Sequence, residues 1–272
     1  MATFDPQLLG GVSVKVAWVT HHLPREVDAE VPEYLLPGKY AGGAEMTDAE
    51  LIAAKPSGVE ISMHSPEDWK SALDADQVII TGTDMLSDYA MLILSQKKPT
   101  VFLHHLQTRN SARKQLIDNA RVLILHTPAH EAREREWTEP KRVEHVLSPL
   151  RVTDCWVGEK QEYAIWAQRM HDLKGPQTAA MWAAQQNIPL VRMTNRPRSE
   201  VLDAMAVAKY YVHLPIGFES ESRATIEAVL SGCWCIVNDN VGLTSVPRWN
   251  ERNYLAELVS QAATKWWKAA LE

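Results

Sequence analysis

Short runs of β-branched and aromatic residues recur along this chain, each followed by a segment of helical character. That alternation restricts the fold more than any other feature. Residues 12–20, 59–63, 77–81, 100–105 and 121–127 read as strands, with helix-like segments at 46–54, 87–96 and 111–120 between them. The pattern resumes with strands at 163–168, 189–194, 208–215 and 233–238, and with helices at 176–186, 199–208 and about 250–271. Residues 12–20 alternate little between apolar and polar, as a strand buried on both faces must. Strands separated by helices build a parallel sheet covered on both sides, and ligands of such sheets collect beyond the carboxyl ends of the strands. The expected class is α/β.

With 272 residues, 46% of them hydrophobic, the chain can bury the cores of one large or two small domains. The polar stretch 151–161, which includes Gly158, suits a boundary. A net charge of -6 supplies no global basic field for nucleic acid or an anionic membrane. No run of about 18 uncharged apolar residues occurs, and residues 1–11 lack a leader's basic start and apolar run, so a cytoplasmic protein with no transmembrane segment is expected. The 3 cysteines, Cys155, Cys233 and Cys235, then read as reduced core thiols. The 10 tryptophans are scattered and read as packing residues.

Three places concentrate polar chemistry near expected strand ends. Gly42-Gly43-Ala44-Glu45 precedes a helix, a geometry in which backbone amides can approach a diphosphate. A tight turn is the other reading of the glycine pair, and the preceding residues 21–41 are long enough for a lid or acceptor loop. Arg169 stands at a strand end and Lys174 at a helix start, where free amides and the helix dipole already favour an anion; ordinary solvated bases are the alternative. Glu219 lies in a loop and Glu227 on the helix that follows, capped by Ser220 or Ser222 and stopped at Gly232. Two such carboxylates could hold hydroxyls at two ends of one elongated polar ligand, or be separate surface acids.

Taken together, these segments resemble the retaining GT-B glycosyltransferases, family 4 in particular. Glu219, seven intervening residues and Glu227-Ala228 are similar to the family's E-x7-E signature. Arg169-x4-Lys174-Gly175 resembles its Arg and Lys-Gly pair, the glycine pair its GGAE, and 98–105 its strand ending in a histidine. Arg196 to Val201 resembles the segment beside the nucleotide base. The order matches along most of the chain. After the first acid, Ser220-Glu221-Ser222-Arg223 is bulkier and more charged than the family's small residues, and Trp234 stands where a proline is common.

The resemblance implies two Rossmann-like domains facing each other across a cleft. They would be an acceptor-side domain at 1–150, a donor domain at 151–249 and a helix at 250–272 crossing back to the first. It implies a metal-independent hexosyltransferase that needs no cofactor, with a nucleotide-diphosphate sugar, UDP-glucose-like, as co-substrate. Gly42, Gly43, Ser220, Glu221 and Ser222 would line the donor, Arg169 and Lys174 would bind its diphosphate, Glu227 its ribose, and Glu219 and His105 its sugar. Neighbours on a strand face opposite ways, so one of the two histidines would serve, and counting from Pro99 favours His105 over His104. The acceptor would be a hydroxyl of a saccharide, lipid or small molecule. DNA carrying a hydroxymethylated base is an alternative, with Arg109, Arg113, Lys114, Arg133, Arg135, Lys141 and Arg142 as its phosphate contacts, although Glu131, Glu134 and Glu136 interleave the second group. A non-catalytic nucleotide-sugar-binding module is the other. The oligomeric state stays open.

Overall fold

The structure, a computed structural model, describes residues 13–21 and 43–272. Gly42 and most of 21–41 lie outside the described residues. Among those described, the strands fall into two parallel sheets. The first contains β1 (Val14–Thr20), β2 (Val59–His64), β3 (Gln77–Thr81), β4 (Thr100–Phe102), β5 (Val122–Leu125) and β6 (Val143–His145), in the order β2-β1-β3-β4-β5-β6. The second contains β7 (Gln161–Trp166), β8 (Leu190–Arg192), β9 (Ala208–His213) and β10 (Trp234–Val237), in the order β10-β9-β7-β8. In each sheet the first strand sits between the second and the third, so the winding direction reverses beside it and a crevice opens at its carboxyl end.

Strand alternation divides each sheet's side chains between two cores. Ala17, Val19, Ile80, Val101 and Leu123 pack against α2 (Asp88–Ser95) and α3 (Ser111–Asn119). Their neighbours Val16, Trp18, Ile79, Phe102 and Ile124 pack against α1 (Gly43–Ala53) and the end of the last helix. In the second sheet Ala164, Trp166 and Val212 meet α5 (Pro176–Gln186), while Ile165 and Tyr211 meet α6 (Arg198–Val207) and α7 (Arg223–Leu230). Lys160 Nζ closes both of these last helices by donating to Met205 O, Ala206 O and Ser231 O at 3.0, 2.9 and 2.7 Å, where a cation suits the free carbonyls.

The remaining helices are α4 (Pro128–Glu134), capped by Thr127, and α8 (Arg252–Leu271). Leu255 and Val259, in the first turns of α8, belong to the second sheet's core, and Trp266 and Trp267 belong to the first sheet's. Trp266 stacks on Trp18 with ring centroids 5.2 Å apart, and Trp267 Nε1 donates to Leu51 O at 2.7 Å.

Several strands are shorter than their sequence suggests. The one expected at 100–105 ends at Phe102, because β3 and β5 offer partners only to Thr100, Val101 and Phe102. Leu103 N gives one more bond to Ile124 O, and the two histidines then lie beyond the sheet.

Candidate active site

Three loops beyond strand ends build the site. After β7, a 3-10 turn at Asp172–Lys174 is followed by Gly175, whose φ of 72° opens α5. A Cβ at Gly175 would lie 2.0 Å from Leu214 O, so only glycine lets this turn sit on the end of β9. Ile216 N and Gly217 N both donate to Leu173 O, at 2.9 and 3.2 Å, and zip the turn to the loop after β9. Lys174 Nζ thereby reaches Glu219 Oε1 in an ion pair. The backbone of Glu219 is pinned from its other side, receiving Gly242 N at 2.7 Å and donating to Asn240 O at 2.8 Å.

Helix α7 starts at Arg223 after Ser222, which takes a left-handed φ of 73° that a non-glycine residue rarely adopts. Ser222 occupies the cap position, but its Oγ pairs with Thr225 Oγ1 at 2.8 Å instead of a backbone amide. Ser220 points the other way: its Oγ bonds His104 O, and its carbonyl accepts from Thr127 Oγ1 at 2.8 Å. The loop of Glu219 is thus tied to the end of the first sheet.

Arg169, Lys174, Glu219, Ser220, Glu221, Ser222, Glu227, Gly43, His104 and His105 all line one cavity of about 1300 Å³. That volume exceeds the roughly 300–1,000 Å³ common for small-molecule sites, so an extended ligand fits. Within it Arg169 is largely exposed and stands 4.0 Å from Glu45. Glu221 is buried against the first sheet, accepting from Ser148 N at 2.6 Å and Ser148 Oγ at 2.5 Å, with His126 Nδ1 3.6 Å away. Glu227 is buried too, held by Arg198 Nε at 2.9 Å and Arg223 Nε at 3.5 Å.

The two histidines differ by burial. His104 is enclosed, with Nε2 2.8 Å from Asp48 Oδ1, and Asp48 Oδ2 accepts from Thr81 Oγ1 at 2.7 Å. His105 is half exposed and sits 3.2 Å from Asp84, whose carboxyl it holds below the usual carboxylate range through that hydrogen bond. Because the strand ends before both, strand alternation does not choose between them.

Sequence reasoning gave no role to Asp48, Glu50, Ser148 or Arg223 and placed Arg198 only within the base-side segment. Arg223 reaches across to Glu50 on α1 at 2.8 Å. Burial raises the Glu50 carboxyl above its ordinary value against the pull of Arg223. Burial also acts to lower Arg198, but the charges and hydrogen bonds of Glu227 and Asp154 outweigh it and hold the guanidinium more firmly protonated than usual. The available signal was a cation at the first position of a helix, unfavourable there without an acidic partner.

The solved structures that match include three that each cover 95% of this chain. Sucrose-phosphate synthase from Thermosynechococcus elongatus aligns with a TM-score of 0.63 at 14% identity over 92% of its own chain. AviGT4, a glycosyltransferase involved in avilamycin A biosynthesis, aligns at 0.55 and 15% over 94% of its chain. Anabaena HepE, solved with UDP and glucose, aligns at 0.55 and 11% over 94%. The fold matches that of GT-B glycosyltransferases. A scan against protein-family models and a search of curated proteins gave no match.

Within this GT-B-like fold, the basic residues expected to meet an acceptor are mostly neutralised. Arg113, expected as a phosphate contact, is buried instead, donating to Thr83 Oγ1 at 2.7 Å and Asp84 Oδ1 at 2.9 Å. Arg109 and Arg133 share Glu136, Arg135 pairs with Glu131, Lys114 with Asp118, and Arg142 with Glu144. Burial pushes the thiols of Cys155 and Cys233 up to about 11, which keeps them unreactive. No described helix is long and apolar enough to cross a membrane.

Proposed function

We propose that this chain is a metal-independent, retaining glycosyltransferase of the family 4 type, moving a hexose from a nucleotide-diphosphate donor of the UDP-glucose kind to an acceptor hydroxyl. One observation carries the reading: a guanidinium and an ammonium from the loop after β7, and two carboxylates from the loop after β9 and from α7, meet around a single cavity at the carboxyl ends of both sheets. In this reading residues 1–150 form the acceptor side, 151–249 the donor side, and 250–272 the helix that joins them.

Glu227 receives the ribose hydroxyls, and Arg169 and Lys174 face the diphosphate. As the bond between the sugar C1 and the phosphate oxygen breaks, negative charge grows on the diphosphate and positive charge on the sugar ring. Cations already in place at the diphosphate stabilise that state without reorganising. The acceptor oxygen forms its bond to C1 on the face the diphosphate leaves, and its proton passes to a diphosphate oxygen. Glu219 orients the sugar and, with a histidine of the 104–105 pair, faces the developing positive charge. His105 is exposed enough to move, whereas His104 is fixed by Asp48 and bonded through its carbonyl to Ser220.

The acceptor belongs among saccharides, lipids and small molecules, because the bases that could track DNA phosphates are largely paired with acids among the described residues. The test is a thermal-shift screen of nucleotide sugars, followed by transfer assays on glycans, lipid acceptors and duplex DNA bearing hydroxymethylated bases. Stabilisation by a donor followed by transfer supports the reading. Binding with neither transfer nor hydrolysis would favour a binding module, and salt-sensitive transfer to DNA would overturn the choice of acceptor.

A further inference from the structure

Arg198 holds the first position of α6, where a cation opposes the helix dipole, so the stability of that helix does not account for it. Its Nε donates to Glu227 Oε1 and its Nη1 to Asp154 Oδ2, each at 2.9 Å. Its Nη2 is inaccessible and has no hydrogen-bond partner among the described residues. A guanidinium placed at that cost is serving its partners. Arg223 Nε approaches the same Glu227 oxygen at 3.5 Å, while its own Nη2 is anchored on Glu50 at 2.8 Å. Both cations therefore converge on Oε1, and Glu227 Oε2 makes no bond among the described residues on a side chain that lines the cavity.

We propose that Arg198 is a positioning residue: anchored by Asp154, it holds Glu227 in one rotamer, so that Oε2 is presented to the vicinal hydroxyls of the donor's ribose. The inference rests on the glycosyltransferase reading and adds to it a residue that never touches the ligand. Asp154 sits in the 3-10 turn Val152–Asp154 on the connection between the two sheets, so the clamp is fixed by a segment outside α6 and α7. Lysine could not replace the arginine, because one ammonium cannot bridge two carboxylates in a planar fork.

The test measures binding of UDP, GDP and ADP, and of the 2′,3′-dideoxy form of each, to the wild type, Arg198→Gln, Asp154→Asn and Glu227→Gln by titration calorimetry. For the base that binds, loss of the hydroxyls should weaken wild-type binding by about tenfold or more, the scale of hydrogen bonds to a charged group. In Arg198→Gln and Glu227→Gln the ribonucleotide should lose that advantage while the dideoxy form binds as in the wild type, and Asp154→Asn should fall between. An unchanged ratio in Arg198→Gln, with only a lower melting temperature, would make the arginine structural and overturn the proposal. Equal weakening of both forms would overturn it by placing Arg198 on the base or phosphate. Should Arg198→Gln fail to fold, the ratio in Asp154→Asn decides by the same criterion. If the wild type binds none of the ribonucleotides, the glycosyltransferase reading itself falls, and this inference with it.

Discussion

Lys174 and Glu219, on turns that follow different strands of the second sheet, neutralise each other inside the cavity. In the proposed mechanism a donor separates them, its diphosphate taking the ammonium and its sugar hydroxyls taking the carboxylate. Lys174→Ala is therefore expected to lower kcat/KM for transfer by about 10²–10³, the loss typical of one preorganised charge-stabilising group. Lys174→Arg should recover part of it. Steady-state kinetics with the donor found by screening checks both.

Lys174 also depends on its neighbour. Gly175→Ala must fit a Cβ 2.0 Å from Leu214 O in a left-handed backbone conformation, so the turn has to shift. The expected outcome is a lower melting temperature together with a fall in kcat/KM comparable to that of Lys174→Ala. Thermal melts and kinetics on one preparation would measure both.

In the proposed mechanism Arg169 and Lys174 supply the positive charge, so a chelator should leave transfer unchanged. Activity measured before and after EDTA treatment, then after added Mg²⁺ or Mn²⁺, is expected to agree within experimental scatter. A large loss restored by either ion would contradict the proposed mechanism.

Glu134 offers a prediction independent of the site. Burial pushes its carboxyl up to about 7, from an ordinary 4.5. The folded chain thus binds this proton more tightly than the unfolded chain, so the group's contribution is most favourable below about pH 4.5 and is lost as pH rises through about 7. Glu134→Gln should accordingly be more stable than the wild type at pH 8, by up to about 3 kcal/mol, and should converge with it near pH 4. His130, 3.9 Å away and lowered by its own burial, is coupled to the carboxyl, so the same pair of measurements in a His130→Asn background separates its share. Urea unfolding at the two pH values measures the difference.

Trp266 is fully buried between Trp18, Phe102 and Trp267. Trp266→Ala should cost about 3–5 kcal/mol, as large-to-small changes of buried aromatic residues do. The midpoint of urea unfolding would show it.

The strand and helix alternation was legible because period-two and helical patterns are local properties of the chain. The 176–186 helix matches residue for residue, and α8 lies within two residues of its expected bounds. Strand ends were not legible, since β4 stops where its neighbours stop pairing and no residue of its own marks the place. That Arg169, Lys174, Glu219 and Glu227 share one cavity was legible through the resemblance of their spacing to a family pattern. The pairing of Glu50 with Arg223 was not, as one ordinary glutamate and one ordinary arginine distant in sequence become partners only when α1 and α7 meet. Arg113 misled for the opposite reason: a basic residue on a polar helix reads as solvated unless the acid waiting beneath it is known.

The division of α8 between two cores has a consequence for the order in which the protein can form. The face of the first sheet that carries Val16, Trp18 and Phe102 is covered in part by residues 262–270, which leave the ribosome long after that sheet's strands have been made. Any first sheet that forms before they are made has that apolar flank uncovered, a state prone to association until the final turns dock. Clipping those turns would be felt at the opposite end of the polypeptide.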